Sequence, residues 1–238
     1  MHTETHPNGA THDKPLRDTR GFWRLLLAMI APLPMLAKAV YYLLSPVDGG
    51  AEFADTVTAY TADQQLASAL RWFDAVFVVG LIPATIAVAW VARRGAPRLT
   101  TVGAVIALLG ELTGFALLRG SDGLAYITMQ QGFDVAATAK LADAIENDAL
   151  QLVASLLFIV GIVIGLALLG IALWRSHVAP AWMGIGLALG AFTHPFVPGH
   201  LAQGIGLAAA AIGFAGASLA LLRMRNDQFD LPPARLDS

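Results

Sequence analysis

Six long stretches of this chain are dominated by apolar residues, and polar residues are mostly confined to the segments between them. Each stretch holds about 20 residues, the length that an α-helix needs to cross roughly 30 Å of hydrocarbon. The pattern therefore predicts an all-α fold, a polytopic membrane bundle of six transmembrane helices. The predicted spans are residues 21–45, 66–91, 100–118, 150–174, 178–197 and 201–222.

Two of the connecting segments are long and carry a helical pattern of their own. Phe53, Val57 and Tyr60 recur at helical spacing in the first, and residues 133–145 repeat the pattern in the second. We expect a short amphipathic helix in each of these two loops, lying at the outer surface of the membrane. The two helices either cap the mouth of the bundle or only cover helix ends.

Composition agrees with a chain that is partly solvated by lipid. Of the 238 residues, 56% are hydrophobic and 13% are charged, against about 25% charged in soluble domains. We expect one transmembrane domain, residues 21–222, between a disordered cytoplasmic tail, 1–20, and a second cytoplasmic tail, 223–238. The net charge of −2 argues against a nucleic-acid partner, so the expected partners begin with membrane lipids.

Basic residues gather on one side of the six-span topology. This side holds Lys14, Arg17, Arg20, Arg24, Arg93, Arg94, Arg98, Arg175, Arg223 and Arg225. Lysine and arginine favour cytoplasmic loops, so the pattern predicts a multi-pass protein of the cell (plasma) membrane with cytoplasmic N- and C-termini. The opposite side is acidic, which is typical of a solvated face and could also attract cations.

Glycines recur four residues apart within several spans. The pairs are Gly110 and Gly114, Gly161 and Gly165, and Gly186 and Gly190, and the last span holds Gly204, Gly206, Gly213 and Gly216. Small residues let helix backbones approach closely in lipid. They predict either packing of the six helices within one chain, or association with a second copy or a membrane partner.

Two charged residues fall well inside predicted spans. A charge at the bilayer centre costs on the order of 2.5–3.5 kcal/mol, so such a residue normally faces the bundle interior. Lys38 and Glu111 have opposite charges at similar depth, and we hypothesise that they form a pair or share a wet cavity. Alternatively, Lys38 extends its stem to the interface, and Glu111 is protonated and hydrogen-bonded to a carbonyl.

Other polar groups lie at a similar depth, in the outer half of the spans. They are Asp74, Gln151, His194 and Gln203. Asp74 could instead pair with Arg71 on its own helix face, and His194 could be an interfacial hydrogen-bonding residue or a titrating one. Polar groups gathered at one depth predict a cavity that opens outward.

Three classes of function fit this pattern. The first is binding or transport of a small apolar or amphipathic molecule, with Lys38, Glu111, Gln151, His194 and Gln203 as ligand-binding candidates. The second is an acid/base enzyme that cyclises or isomerises a lipid-soluble substrate, with Glu111, Asp74 and His194 as catalytic candidates. The third is an accessory or assembly subunit of a membrane complex.

Several chemistries find no support in the sequence. Cysteine is absent, which removes disulfides, thiolate metal sites and thiol nucleophiles. No HExxH, P-loop, GxSxG or dinucleotide fingerprint occurs. His194 and His200 lie on one connection and His177 on the opposite face, so they do not form a haem-ligating pair. We therefore predict no cofactor and no metal.

The layout resembles small six-helix bacterial integral membrane proteins of unknown function. The resemblance rests on the long first outer loop, on Glu111 in the third span, and on the segment WRSHVAPAW, residues 174–182, that leads into the fifth span. It covers most of the chain. The resemblance implies the topology and no activity.

Overall fold

Helices make up all the regular structure in the computed structural model, which describes residues 17–118 and 120–230 apart from the side chain of His194. The helices are Arg20–Ile30 (α1), Leu33–Leu44 (α2), Phe53–Ala62 (α3), Gln64–Ala92 (α4), Pro97–Leu117 (α5), Ser121–Gln131 (α6), Val135–Glu146 (α7), Ala149–Val160 (α8), Leu166–Ser176 (α9), Ala181–Phe196 (α10), His200–Arg223 (α11) and Asn226–Phe229 (α12). A π-helical turn, Gly161–Gly165, joins α8 to α9. The all-α prediction is confirmed. Most of the predicted disordered tail, 1–20, lies outside the described residues.

Within the described residues, five helical segments are long and apolar enough to cross a membrane. They are α1 with α2, α4, the segment that contains α5, α8 through α9, and α11. The predicted fifth span, α10, has 16 residues, which corresponds to about 24 Å of helix. A count of six spans is therefore not confirmed, although α10 packs along both α9 and α11.

The first segment is interrupted between α1 and α2 because of its prolines. Pro32 has no N–H to donate to the carbonyl of Ala28, four residues earlier, and α1 ends at Ile30. Ser218 of α11 supplies the missing donor, since its hydroxyl donates to the Ala28 carbonyl oxygen over 2.6 Å. The hydrogen bond that is lost at Pro32 is thus replaced by one from α11.

Both ends of the described chain lie at one end of the bundle, which we call the termini end. Arg24 on α1 donates from Nη1 to three carbonyl oxygens at the C-terminus of α11, 2.5–3.1 Å away. Trp90, near the end of α4, donates to the carbonyl oxygen of Phe229 over 2.9 Å. A guanidinium is well suited to a helix C-terminus, because the last carbonyls have no donor within their own helix.

The opposite end, which we call the loop end, holds the short helices α3, α6 and α7. Helices occupy both predicted segments, since α3 covers 53–62 and α7 covers 135–146. Val57 and Tyr60 of α3 are buried against Ala125 of α6. The pattern along α7 buries little, because Leu141 is 52% exposed. Their position at an outer membrane surface stays a prediction, and α6 was not predicted.

Close backbone contacts at glycines hold α5 against α8 and the π-helical turn. A Cβ added to Gly110 would lie 2.4 Å from the carbonyl oxygen of Leu157 and 2.6 Å from the Cα of Gly161. One added to Gly165 would lie 2.5 Å from the backbone nitrogen of Ala107. Only glycine permits helix axes this close.

Close glycine contacts also join α9 to α10 and α10 to α11. A Cβ on Gly170 of α9 would lie 2.6 Å from the carbonyl oxygen of Gly184 on α10, and one on Gly190 would lie 2.5 Å from that of Gly206 on α11. These glycines pack helices of one chain together. Association with a second copy or another membrane protein through glycine faces stays a prediction.

Substituting Gly110 tests this packing. We expect Gly110→Ala to lower the free energy of unfolding by about 1–3 kcal/mol, because the new methyl group must push α8 away. The measurement is the thermal unfolding midpoint of the purified protein in detergent. Gly21→Ala is the matched control, since its Cβ would lie 3.4 Å from the Asn226 side chain, an ordinary contact. Equal midpoints for both variants would contradict the packing.

Candidate functional site

A cavity of about 670 Å³ opens at the loop end, between α2, α4, α5, α6, α8 and α11; we call it the loop-end cavity. Apolar side chains near the middle of their helices form its floor: Phe77, Val78, Phe158, Ile162 and Val163. Polar side chains surround its mouth: Lys38, Tyr41, Tyr42, Asp48, Arg71, Asp74, Asp122, Glu146, His200 and Gln203. The cavity therefore offers an apolar surface and a polar one to the same occupant.

Lys38 is held at this mouth by an ion pair and by aromatic rings. Its Nζ lies 2.7 Å from Oδ1 of Asp74 and 4.0 Å from the ring centroid of Tyr41. The rings of Tyr42 and Phe77 lie 5.1 and 5.5 Å away. Lys38 is 9% exposed, so both the carboxylate and the rings act on a largely desolvated ammonium group.

The predicted Lys38–Glu111 pair is wrong. Helix α2 packs against α4 and α11, whereas α5, which carries Glu111, packs against α4, α8 and α9. Lys38 therefore meets the carboxylate of α4, Asp74. The alternative pair of Arg71 with Asp74 is also wrong, since Arg71 donates from Nη1 to the Leu118 carbonyl oxygen over 3.0 Å.

Glu111 lies outside the loop-end cavity. It has no exposed surface, and its Oε1 accepts a hydrogen bond from the Thr85 hydroxyl over 2.5 Å. Its Oε2 has no hydrogen-bond partner in the described part of the chain. The residue that the sequence favoured most as a site residue is thus enclosed between α4 and α5, and its predicted roles in binding and catalysis stay predictions.

The remaining predicted residues divide between the cavity and its surroundings. Gln203 lines the cavity and donates from Nε2 to the Val197 carbonyl oxygen over 3.1 Å. Gln151 is not part of the lining and lies in the first turn of α8. The side chain of His194 is outside what the structure describes. Its neighbour Pro195 lines the cavity.

Tyr41 and Asp122 form a contact that the sequence did not predict. The Tyr41 hydroxyl donates to Oδ2 of Asp122 over 2.5 Å, which fastens the first turn of α6 to α2. Tyr60 packs in the same cluster, where burial raises the pKa of Tyr60 to about 12. At neutral pH this phenol therefore stays protonated and remains a hydrogen-bond donor.

A sequence signal existed for the two tyrosines but not for Asp122. Tyr41 and Tyr42 follow Lys38 by three and four residues, which places all three on one helix face. His200 also lines the mouth, with its ring centroid 4.9 Å from that of Tyr42. Asp122 reaches the mouth only because α6 packs on α3 and touches α4.

The chemistry of this site is recognition of an occupant with a polar end and an apolar end. Among residues 17–118 and 120–230, no group of three or more histidine, aspartate or glutamate side chains is arranged to hold a metal ion. The polar atoms at the mouth are fixed by contacts with one another, as in Lys38–Asp74 and Tyr41–Asp122. Such a mouth is preorganised to orient a ligand.

Glu111 variants separate a packing role from a charge requirement. Glu111→Gln keeps an oxygen acceptor for Thr85 and adds no charge, so we expect the free energy of unfolding to change by less than about 1 kcal/mol. Glu111→Ala leaves a hole and an unsatisfied Thr85, and should cost about 2–4 kcal/mol. Thermal unfolding in detergent measures both, with exposed Glu146→Ala as control. Equal losses for the Gln and Ala variants would refute the geometry described.

Comparison of the chain with protein-family models, with curated proteins and with solved structures found no match.

Proposed function

We propose that this protein is a multi-pass protein of the cell membrane that binds a small apolar or amphipathic molecule in the loop-end cavity. The observation that carries the proposal is the cavity itself, with about 670 Å³ of space, an apolar floor and a polar mouth. This volume is in the range of small-molecule sites. An amphipathic ligand would place its apolar part against Phe77 and Phe158 and its polar part beside Lys38 and Asp74.

Large apolar side chains on the outside of the bundle support a membrane location. Trp72 is 72% exposed, Leu150 is 77% exposed and Leu109 is 62% exposed. Water-soluble proteins rarely leave contiguous apolar surface of this kind uncovered. In lipid the same side chains meet acyl chains, while the polar groups of α2 and α4 face each other inside.

Charge supports the orientation that the proposal includes. Arg24, Arg93 and Arg225 lie at the termini end, as do the other arginines that flank the long helices there. Arginine next to a span favours the cytoplasmic side. We therefore propose that the termini end lies in the cytoplasm and the mouth of the cavity on the outside. This orientation treats α10 as a sixth membrane-spanning helix.

The two other classes of function have less support. An acid/base enzyme needs a group that exchanges a proton with its substrate; of the predicted catalytic carboxyl groups, Glu111 lies outside the cavity and Asp74 is engaged by Lys38. An accessory subunit would use its glycine faces for a partner, but Gly110, Gly165 and Gly190 pack against helices of the same chain.

Filling the cavity tests the proposal. The probe is N-phenyl-1-naphthylamine, a neutral dye whose fluorescence rises in apolar sites, added to protein in phosphatidylcholine nanodiscs. Ser155 lines the cavity, so we expect Ser155→Trp to occupy the space and lower the protein-dependent signal at least about tenfold. Mass spectrometry of lipids that co-purify with the unaltered protein gives a second measurement.

Val153→Trp is the matched control for this experiment. Val153 lies on the same helix, is 52% exposed and does not line the cavity, so dye binding should be unchanged. Equal dye binding by the unaltered protein and both tryptophan variants would show that the cavity is not the binding site.

A further inference from the structure

The mouth of the loop-end cavity already holds one organic cation, the side chain of Lys38. The ammonium group is in contact with a carboxylate, Asp74, at 2.7 Å and with the ring face of Tyr41 at 4.0 Å from its centroid. Two further rings, Tyr42 and Phe77, complete the enclosure at 5.1 and 5.5 Å. Aromatic faces combined with a carboxylate are the surroundings in which proteins bind alkylammonium groups.

The cavity lining carries an excess of negative charge. Two lining side chains are cationic, Lys38 and Arg71, and four are carboxylates: Asp48, Asp74, Asp122 and Glu146. With His200 neutral, two cations and four carboxylates give the lining a net charge of −2. A low-dielectric pocket with excess carboxylate raises the local concentration of cations and penalises anions.

The position of Lys38 explains how such a site exists without a ligand. Aspartate in a desolvated mouth needs a positive partner, and Lys38 supplies one from the wall of the same cavity. Lysine carries its ammonium group on a flexible four-carbon stem. A second carboxylate, Asp122, lies at the same mouth. A ligand cation can therefore take the place of the ammonium group beside the rings while lysine turns to another carboxylate.

We propose that the ligand of the loop-end cavity is a lipophilic organic cation, and that Lys38 is a tethered competitor that occupies the cation position until the ligand displaces it. The cationic group binds among Asp74, Tyr41, Tyr42 and Phe77. The apolar body of the ligand rests on the floor at Phe158 and Ile162. This inference depends on the proposed function, because it assigns a chemical class to the molecule that the cavity binds.

The test uses two probes that differ in the sign of their charge and little in shape, tetraphenylphosphonium and tetraphenylborate. Each is titrated against the bound naphthylamine dye in phosphatidylcholine nanodiscs, with empty nanodiscs subtracted. The phosphonium ion should displace the dye at least about tenfold better than the borate ion. Better displacement by the borate ion, or equal displacement, would overturn the assignment.

Variants then distinguish the tethered competitor from general electrostatics. Lys38→Met removes the competitor and keeps an apolar side chain of similar length, so affinity for the phosphonium ion should rise at least about tenfold. Arg98→Met removes one positive charge at the termini end, away from this cavity, and should leave that affinity unchanged. Weaker phosphonium binding by Lys38→Met would overturn the proposal.

A second variant tests the electrostatic argument and leaves both the Lys38–Asp74 pair and the packing of the helices intact. Glu146 is an exposed residue of α7 that lines the mouth, and Glu146→Gln should weaken phosphonium binding about two- to threefold at low salt. An unchanged affinity would count against the electrostatic argument. If the naphthylamine dye binds and Ser155→Trp abolishes that binding while phosphonium shows no preference, the cation assignment fails and the binding function stands. If the dye itself does not bind, the binding function fails.

Discussion

A charge enclosed by apolar helices is costly unless an opposite charge or hydrogen bonds compensate it, and one such ion pair joins α2 to α4. Lys38 and Asp74 satisfy each other over 2.7 Å, in surroundings where an unpaired ion would cost several kcal/mol. The pair lies where the faces of α2 and α4 pack together. Tyr41 and Tyr42, one turn beyond Lys38, are thereby directed into the same space, and Asp122 of α6 follows through its bond to Tyr41.

Close glycine contacts provide the rigid part of the molecule below this polar mouth. Gly110 and Gly161 bring α5 and α8 together at backbone distance, and Phe158, one residue after the Leu157 carbonyl that Gly110 touches, forms part of the cavity floor. The rings of Phe77 and Phe158 meet edge to face with centroids 6.2 Å apart. The loop-end cavity lies above this tight packing, with the two rings in its floor.

The long apolar helices could be predicted from the sequence, because hydrophobic length depends on composition alone. The prediction failed where the answer depends on which helices are neighbours. Lys38 lies at a depth where both Asp74 and Glu111 could serve as partner, and only the adjacency of α2 to α4 selects Asp74. Helix α6 and the role of Asp122 were not predicted for a related reason. Ser121–Gln131 is too polar to resemble a membrane span, and it buries mainly small residues, Gly123 and Ala125.

The contacts of Arg24 have a consequence for the order of assembly. Its guanidinium is on α1, and the carbonyls that receive it, at the C-terminus of α11, are synthesised about 200 residues later. The Ala28 carbonyl oxygen has no helical donor because Pro32 lacks an N–H, and it likewise accepts its hydrogen bond from Ser218 of α11. Helix α1 therefore keeps these groups incompletely satisfied until α11 has been synthesised, and only then can the two helices complete their contact.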